Sequence, residues 1–270
     1  MQSDSTTLAS ESGTGALLVQ VEDGVAAVTI NREARRNALT MALWRLLGET
    51  FGELDKRQDV RAIVLTGRGK SFCAGADVSE FAQTRADASQ AVEYERAYDN
   101  CCDLISAVSK PTIAAINGFC MGGGCNVAMS CDFRFAVPEA TFAIPAARLS
   151  IVYGIRGTRR LMNLVGLTNA KRILYSAEKF DASRGMAIGF VDEIATNVYS
   201  RASEFAQQLE KCAPLTISGT KMILNGLAVG GEALDNNEIE RILAQAAQSY
   251  DYQEGRAAFA EKREPRFRGE

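Results

Sequence analysis

The pattern of apolar and polar residues divides the chain into an alternating α/β part followed by a helical part. Short apolar runs typical of buried strands recur through the first part, at 17–21, 25–30, 62–66, 112–116 and 133–137. Helical periodicity lies between them at 40–51, behind the N-cap candidate Thr40, and at 88–109. Strands that alternate with helices predict a mainly parallel sheet, whereas Asp23-Gly24 between the first two runs predicts an antiparallel hairpin.

Beyond Gly166 the pattern is helical almost throughout. The helical stretches are 169–176, 182–188, 200–212, 214–227, 232–249 and 253–262. We therefore predict a disordered Ser- and Thr-rich leader over residues 1–15, a core over 16–200 and a helical C-terminal region over 201–270. Apolar stripes in that last region exceed what a small appendage buries on itself, which favours self-association; they comprise Met222, Ile223, Leu227, Ile239, Ile242 and Leu243.

Composition narrows the class of protein. The chain has 270 residues, of which 47% are hydrophobic and 23% charged, as in ordinary soluble domains. A formal net charge of −3 gives no electrostatic reason to expect nucleic acid or an anionic membrane as partner. No apolar run is long enough to cross a bilayer, and the leader lacks the features of a signal peptide. Seven cysteines without a C-x-x-C pair predict free thiols in a reducing cytoplasm.

The chain contains no histidine. This excludes nucleophilic systems of the Ser-His-Asp or Cys-His type, and it excludes the common metal sites that use histidine. No metal site is predicted.

Two glycine-bearing loops are the strongest candidates for chemistry. Residues 118–126 read GFCMGGGCN and lie between a strand and a predicted helix, and residues 71–77 read SFCAGAD. Glycines allow a ligand to approach the backbone, and unpaired N–H groups at a helix N-terminus favour an oxyanion. Two backbone donors that converge on one oxygen form an oxyanion hole, which is often the largest contribution in carbonyl chemistry.

These motifs resemble the crotonase (enoyl-CoA hydratase/isomerase) superfamily. The matching segments run in order: INR at 30–32, RNAL at 36–39, SFCAGAD at 71–77, and AAINGFCMGGGC at 114–125. The resemblance extends over residues 17–267, and FAEKR at 259–263 is similar to the family's C-terminal helix.

The resemblance implies an α/β fold, a crotonase-like spiral of ββα units with a helical C-terminal trimerisation region. It further implies a trimer or a dimer of trimers that binds acyl-CoA thioesters, with coenzyme A as part of the substrate and no other cofactor. The backbone N–H groups of Ala76 and Gly123 correspond to the family's oxyanion hole. Ala74 and Asp77 in the same loop are then expected beside the substrate.

The resemblance also predicts weak hydratase activity. Hydratases of the family use two glutamates, and the corresponding positions here hold Asn126 and Ala146. A third position, acidic in some isomerases, is Gly154. None of these side chains can transfer a proton as a general acid or base. We expect an enolate-stabilising lyase or isomerase, with a catalytically silent acyl-CoA-binding protein as the alternative.

Tyr153 lies where the family's methylmalonyl-CoA decarboxylase has a pocket tyrosine. Together with Asn126 it could bind a substrate carboxylate; alternatively, Tyr153 packs as a loop aromatic and Asn126 bonds locally. Arg148 is a candidate for an anionic substrate group or for a salt bridge. Glu80 either enters the pocket or caps a helix in solvent.

Candidate contacts to coenzyme A lie at both ends of the chain. Arg35 and Arg36 occupy positions where the family places basic residues near the phosphates, and Lys262 lies on the last predicted helix. Phe259 and Phe267 either cover the acyl tail or seal the trimer. Each of these residues is also compatible with an ordinary surface role.

Overall fold

Two sheets and ten helices make up the computed structural model, which describes residues 15–231 and 234–270. The predicted leader therefore lies outside the described residues, except for Gly15. The strands are β1 (Leu17–Glu22), β2 (Val25–Ile30), β3 (Ala62–Gly67), β4 (Ser71–Cys73), β5 (Thr112–Ile116), β6 (Phe119–Met121), β7 (Phe133–Ala136), β8 (Thr141–Ala143), β9 (Phe180–Asp181) and β10 (Glu193–Ile194). The helices are α1 (Met41–Lys56), α2 (Phe81–Thr84), α3 (Ala88–Ala107), α4 (Gly123–Ser130), α5 (Ile155–Ser176), α6 (Ala182–Ala187), α7 (Val198–Glu210), α8 (Pro214–Ala228), α9 (Asn236–Gln248) and α10 (Tyr250–Glu261).

From β3 to β8 the strands alternate between two sheets. The larger sheet has the order β1-β2-β3-β5-β7-β10, and the smaller one has the order β4-β6-β8-β9. Pairing is parallel except for β1 with β2 and β8 with β9. Successive strand pairs, β3–β4, β5–β6 and β7–β8, each place one strand in each sheet and are followed by helices. This is the predicted spiral of ββα units.

Local sequence signals account for the first elements. Asp23 and Gly24 form the predicted turn, with Leu17 opposite Ile30 and Glu22 opposite Val25 in the hairpin. The Thr40 side chain accepts a hydrogen bond from the N–H of Leu43, which confirms the predicted N-cap of α1.

The main core lies between the two sheets and helices α1, α3 and α4. Its largest fully buried side chains include Trp44, Phe51 and Phe72. A second, smaller core covers the other face of the large sheet, where α7 packs Val198 and Ala202 against the strands. The glycine-bearing loops leave the main core at the carboxyl ends of β4 and β6, so a rigid scaffold supports them.

The smaller sheet was not predicted from the sequence. Its strands have only two or three residues, which is too short for a periodic pattern to identify. The prediction of one continuous loop over 118–126 was wrong, because β6 occupies 119–121 and pairs with β4 and β8. The first half of α5, before Gly166, also lies outside the predicted helices.

The C-terminal helices leave much apolar surface uncovered. None of the residues of α9 is buried, although Leu243 and other apolar side chains lie on it. On α8, Leu224 and Leu227 are also exposed. Within the described residues, no helix combines the length and apolarity that a bilayer crossing requires.

Candidate active site

The first loop, residues 71–77, is held in an extended conformation by Leu39. The Leu39 N–H donates to the Gly75 carbonyl over 2.8 Å, and the Asp77 N–H donates to the Leu39 carbonyl over 2.9 Å. Because successive peptide groups of an extended chain point in opposite directions, the Ala76 N–H points away from Leu39. Among the described residues it has no hydrogen-bond acceptor.

The second loop, residues 118–126, presents Gly123 at the N-terminus of α4. The Gly122 N–H donates to the Ala143 carbonyl of β8 over 2.8 Å, which fixes the chain as it leaves β6. Gly123 is the first residue of α4, and its N–H lacks an acceptor within the part of the chain that the structure describes. The helix dipole places partial positive charge at this group.

The two loops are in direct contact. A Cβ atom at Gly75 would lie 2.6 Å from the Met121 carbonyl oxygen and 3.0 Å from the Gly123 nitrogen. A Cβ atom at Gly124 would lie 2.3 Å from the Cys73 carbonyl oxygen. The backbones can approach this closely only because both positions lack side chains. The structure thus brings the free N–H groups of both loops to one cavity, as an oxyanion hole requires.

A cavity of about 190 Å³ opens beside these two N–H groups. Its walls are mainly apolar and come from both loops, from α3, and from the segment between β8 and α5; they include Ala74, Ala76, Val78, Phe81, Gly122, Gly123, Ile144, Pro145, Ala146, Leu149, Ile151, Val152 and Gly154. Sites for drug-sized ligands span roughly 300–1,000 Å³, so this one suits a short acyl-sized group.

Polar groups gather at one wall of the cavity. The Tyr98 and Tyr153 hydroxyls lie 3.3 Å apart, and both rings line the cavity. Asn126 does not line the cavity but lies behind this wall, next to Gly157. It is fully buried, and neither its amide nitrogen nor its amide oxygen has a hydrogen-bond partner among the described residues. A Cβ atom at Gly157 would lie 2.7 Å from Tyr153 Cε1 and 3.3 Å from Asn126 Oδ1, so the absence of a side chain there makes room for both.

Both phenols remain protonated at neutral pH. Burial is the main cause that raises the pKa of Tyr98 and that of Tyr153 above the ordinary value for tyrosine. The nearby Asn126 amide opposes the rise for Tyr98. A raised pKa means that each hydroxyl keeps its proton to higher pH, so each is a neutral hydrogen-bond donor.

Two carboxylates at the cavity were missed by the sequence analysis. Glu95 and Asp99 are on α3 and line the same cavity as Ala76 and Gly123. Burial raises the pKa of both carboxyl groups, while Arg85 opposes the rise for Glu95 and Arg156 opposes it for Asp99. Their spacing of four residues was the only sequence signal that they share a helix face.

Asp77 and Glu80 support the first loop. The Asp77 carboxylate accepts a hydrogen bond from Arg32 over 2.9 Å and also bonds Ser79, and these two contacts lower its pKa. Glu80 accepts from the N–H of Met41 over 2.6 Å at the start of α1, and burial raises its pKa. Neither carboxylate lines the cavity.

The remaining predicted residues lie outside the cavity walls. Arg36 is exposed, its guanidinium is 5.6 Å from the centre of the Phe119 ring, and its carbonyl accepts from the N–H of Ala74. Arg148 is exposed, as is Lys262 just after α10. Phe259 on α10 is 88% exposed.

Known proteins are similar to this chain in sequence and fold. The sequence matches the model of the enoyl-CoA hydratase/isomerase family over residues 20–270. The short-chain-enoyl-CoA hydratase of Clostridium acetobutylicum is 35% identical over 212 residues, which are 77% of this chain and 80% of that protein. The crotonyl-CoA hydratase of Syntrophomonas wolfei is 34% identical over 260 residues, or 93% of this chain and 97% of that protein.

A solved structure agrees with the sequence comparison. The crystal structure of an enoyl-CoA hydratase/carnithine racemase from Magnetospirillum magneticum has a TM-score of 0.90 at 30% identity, covering 95% of this chain and 97% of that one. The α/β crotonase-like fold predicted from the motifs is therefore confirmed. The chain belongs to the enoyl-CoA hydratase/isomerase family.

Proposed function

We propose that the protein is an enzyme that acts on a short-chain acyl-CoA thioester and stabilises its enolate. The thioester oxygen would accept hydrogen bonds from the N–H groups of Ala76 and Gly123. The observation that supports this most is that both N–H groups lack partners within the described residues and line one small cavity. Donors fixed in advance around a developing negative charge are the main source of rate in such chemistry.

Hydration of an enoyl thioester is expected to be slow. Of the two positions that correspond to the hydratase glutamates, one holds Asn126, which has no titratable group, and the other holds Ala146 at the cavity wall. General acid–base groups contribute about 10²–10⁴ each to rate. The two named hydratase relatives support the family and a thioester substrate, and we infer from Asn126 and Ala146 that the main reaction of this chain differs from hydration.

The polar wall favours a lyase acting on an acyl group with a carboxylate at its α-carbon. Tyr98 and Tyr153 supply neutral donors for that carboxylate, and the unpartnered Asn126 amide lies behind them. The cavity's own carboxylates, Glu95 and Asp99, are paired with Arg85 and Arg156. When CO2 leaves, the pair of electrons of the broken C–C bond forms the enolate, and a proton later adds at the α-carbon. An isomerase would form the same enolate by removing a proton.

A screen by mass spectrometry tests this function. The purified protein is incubated separately with malonyl-CoA, methylmalonyl-CoA, crotonyl-CoA and 3-hydroxybutyryl-CoA. We expect loss of CO2 from one of the first two thioesters and crotonyl-CoA hydration at least about 100-fold slower than by a two-glutamate hydratase. Rapid hydration would contradict the proposal, and tight binding without any turnover would support a catalytically silent acyl-CoA-binding protein instead.

We further propose that the C-terminal region joins copies of the chain as a trimer or a dimer of trimers. Helix α9 buries none of its residues, and Leu227 and Leu243 are more than half exposed, at 58% and 59%. Contact between copies would cover this surface. Light scattering is expected to give three or six times the chain mass at micromolar concentration, and a monomer would rule the assembly out.

We expect the coenzyme A portion of the substrate to contact exposed residues outside the cavity. Arg36 is joined to the first loop through the Ala74 N–H, and so lies close to the thioester position. Lys262 and Phe259 are exposed on the C-terminal region, from which they could reach a neighbouring copy's ligand. Arg148 is exposed without a salt bridge among the described residues and could contact an anionic group.

A further inference from the structure

An enolate mechanism needs a group that adds or removes a proton at carbon, and the cavity contains few candidates. The chain has no histidine. Tyr98 and Tyr153 have pKa values raised by burial, so neither accepts a proton as a phenolate near neutral pH. Among the described residues that line the cavity, Glu95 and Asp99 are the only carboxylates.

The surroundings of the two carboxylates differ. Glu95 bonds Arg85 over 2.7 Å, and Arg85 itself lines the cavity with its guanidinium against the rings of Phe81 and Tyr94. Asp99 instead faces Arg156, at 4.0 Å, which is outside the cavity walls. Glu95 is therefore the carboxylate whose cationic partner also lines the cavity, whereas the cation that faces Asp99 lies outside it.

Glu95 also has access to solvent. Its side chain is 42% exposed, so a proton gained or lost in the cavity can be exchanged with water between turnovers. Burial raises the pKa of the Glu95 carboxyl group, and the positive charge of Arg85 opposes that rise, so the group has partners that favour each of its two forms.

We propose that the Glu95 carboxyl group transfers the proton at the α-carbon of the bound thioester, an inference that rests on the proposed function. As a base, Glu95 takes the α-hydrogen, and the electrons of that C–H bond form the enolate whose oxygen is held by Ala76 and Gly123. As an acid after loss of CO2, it gives its proton to the α-carbon and recovers one from solvent.

Hydrogen exchange at the α-carbon tests this without knowledge of the natural substrate. Butyryl-CoA is incubated with each variant in D2O, and its gain in mass is followed; binding of butyryl-CoA is measured separately by calorimetry. Relative to wild type, Glu95→Gln is expected to slow the exchange by about 100-fold or more. Glu93→Gln is the matched control on the same helix, because Glu93 pairs with Arg45 on the surface, and its exchange is expected within about twofold of wild type.

The proposal would be overturned if Glu95→Gln exchanged the α-hydrogens at the wild-type rate. It would also be overturned if Asp99→Asn lost the exchange while Glu95→Gln kept it. If the wild-type protein binds butyryl-CoA without exchanging its α-hydrogens, Glu95 transfers no proton, while acyl-CoA binding stands. If it binds neither butyryl-CoA nor any thioester of the screen, the proposed function itself fails.

Discussion

Replacing Gly75 by alanine is expected to lower turnover by about 10²–10³, which is the usual cost of losing one oxyanion donor. Gly75 has a φ of +90°, and a Cβ atom there would lie 2.6 Å from the Met121 carbonyl oxygen. The side chain would force the two loops apart and move the N–H groups of Ala76 and Gly123 out of alignment. The measurement is kcat for whichever thioester the wild-type protein converts.

The matched control for Gly75→Ala is Gly166→Ala. Gly166 has a φ of +73°, but nothing lies within 4 Å of its Cβ position. Both variants place an alanine at a positive φ, which costs on the order of 1–3 kcal/mol, and only the first disturbs the loops. Circular dichroism shows whether each variant is folded. A folded Gly75→Ala with wild-type kcat would show that loop contact does not position the donors.

Replacing Asn126 by leucine is expected to stabilise the protein and to weaken its recognition of polar acyl groups. Asn126 is fully buried with both amide atoms unpartnered among the described residues, and an unsatisfied buried group costs about 1–3 kcal/mol. Leucine has the same branching without polar atoms, so the free energy of unfolding in urea should rise by about 1 kcal/mol. Affinity for methylmalonyl-CoA relative to butyryl-CoA should fall about tenfold or more, as expected for a lost hydrogen bond to a charged group.

The same substitution at Asn37 provides the contrast. Asn37 is equally buried, but its amide accepts from the Arg32 N–H over 2.9 Å and donates to the Arg68 and Ser71 carbonyls over 2.9 and 2.6 Å. Asn37→Leu removes these three hydrogen bonds. It should therefore lower the free energy of unfolding by on the order of 3 kcal/mol or more. Equal destabilisation by both variants would mean that Asn126 is satisfied in solution and not reserved for a ligand.

Local signals in the sequence determined much of the fold and half of the candidate site. The hairpin at Asp23-Gly24, the cap at Thr40 and the long strands depend on residues close together in the chain, so their patterns could be interpreted directly. The two loops could also be predicted directly, because the glycines around Ala76 and Gly123 allow a backbone conformation that a short motif specifies. Their meeting at one cavity followed from the family resemblance.

The tertiary structure alone decided the rest. Tyr98 and Tyr153 meet although 55 positions separate them, and Asn126 proves unpartnered only once every neighbour is in place. Glu95 is one of many charged residues along the sequence of α3, and it faces the cavity only because the helix packs on α1 and α4. The three-residue strands form because partner strands supply their hydrogen bonds. Side-chain facing, burial and hydrogen-bond satisfaction are properties of distant pairs, and local patterns do not specify them.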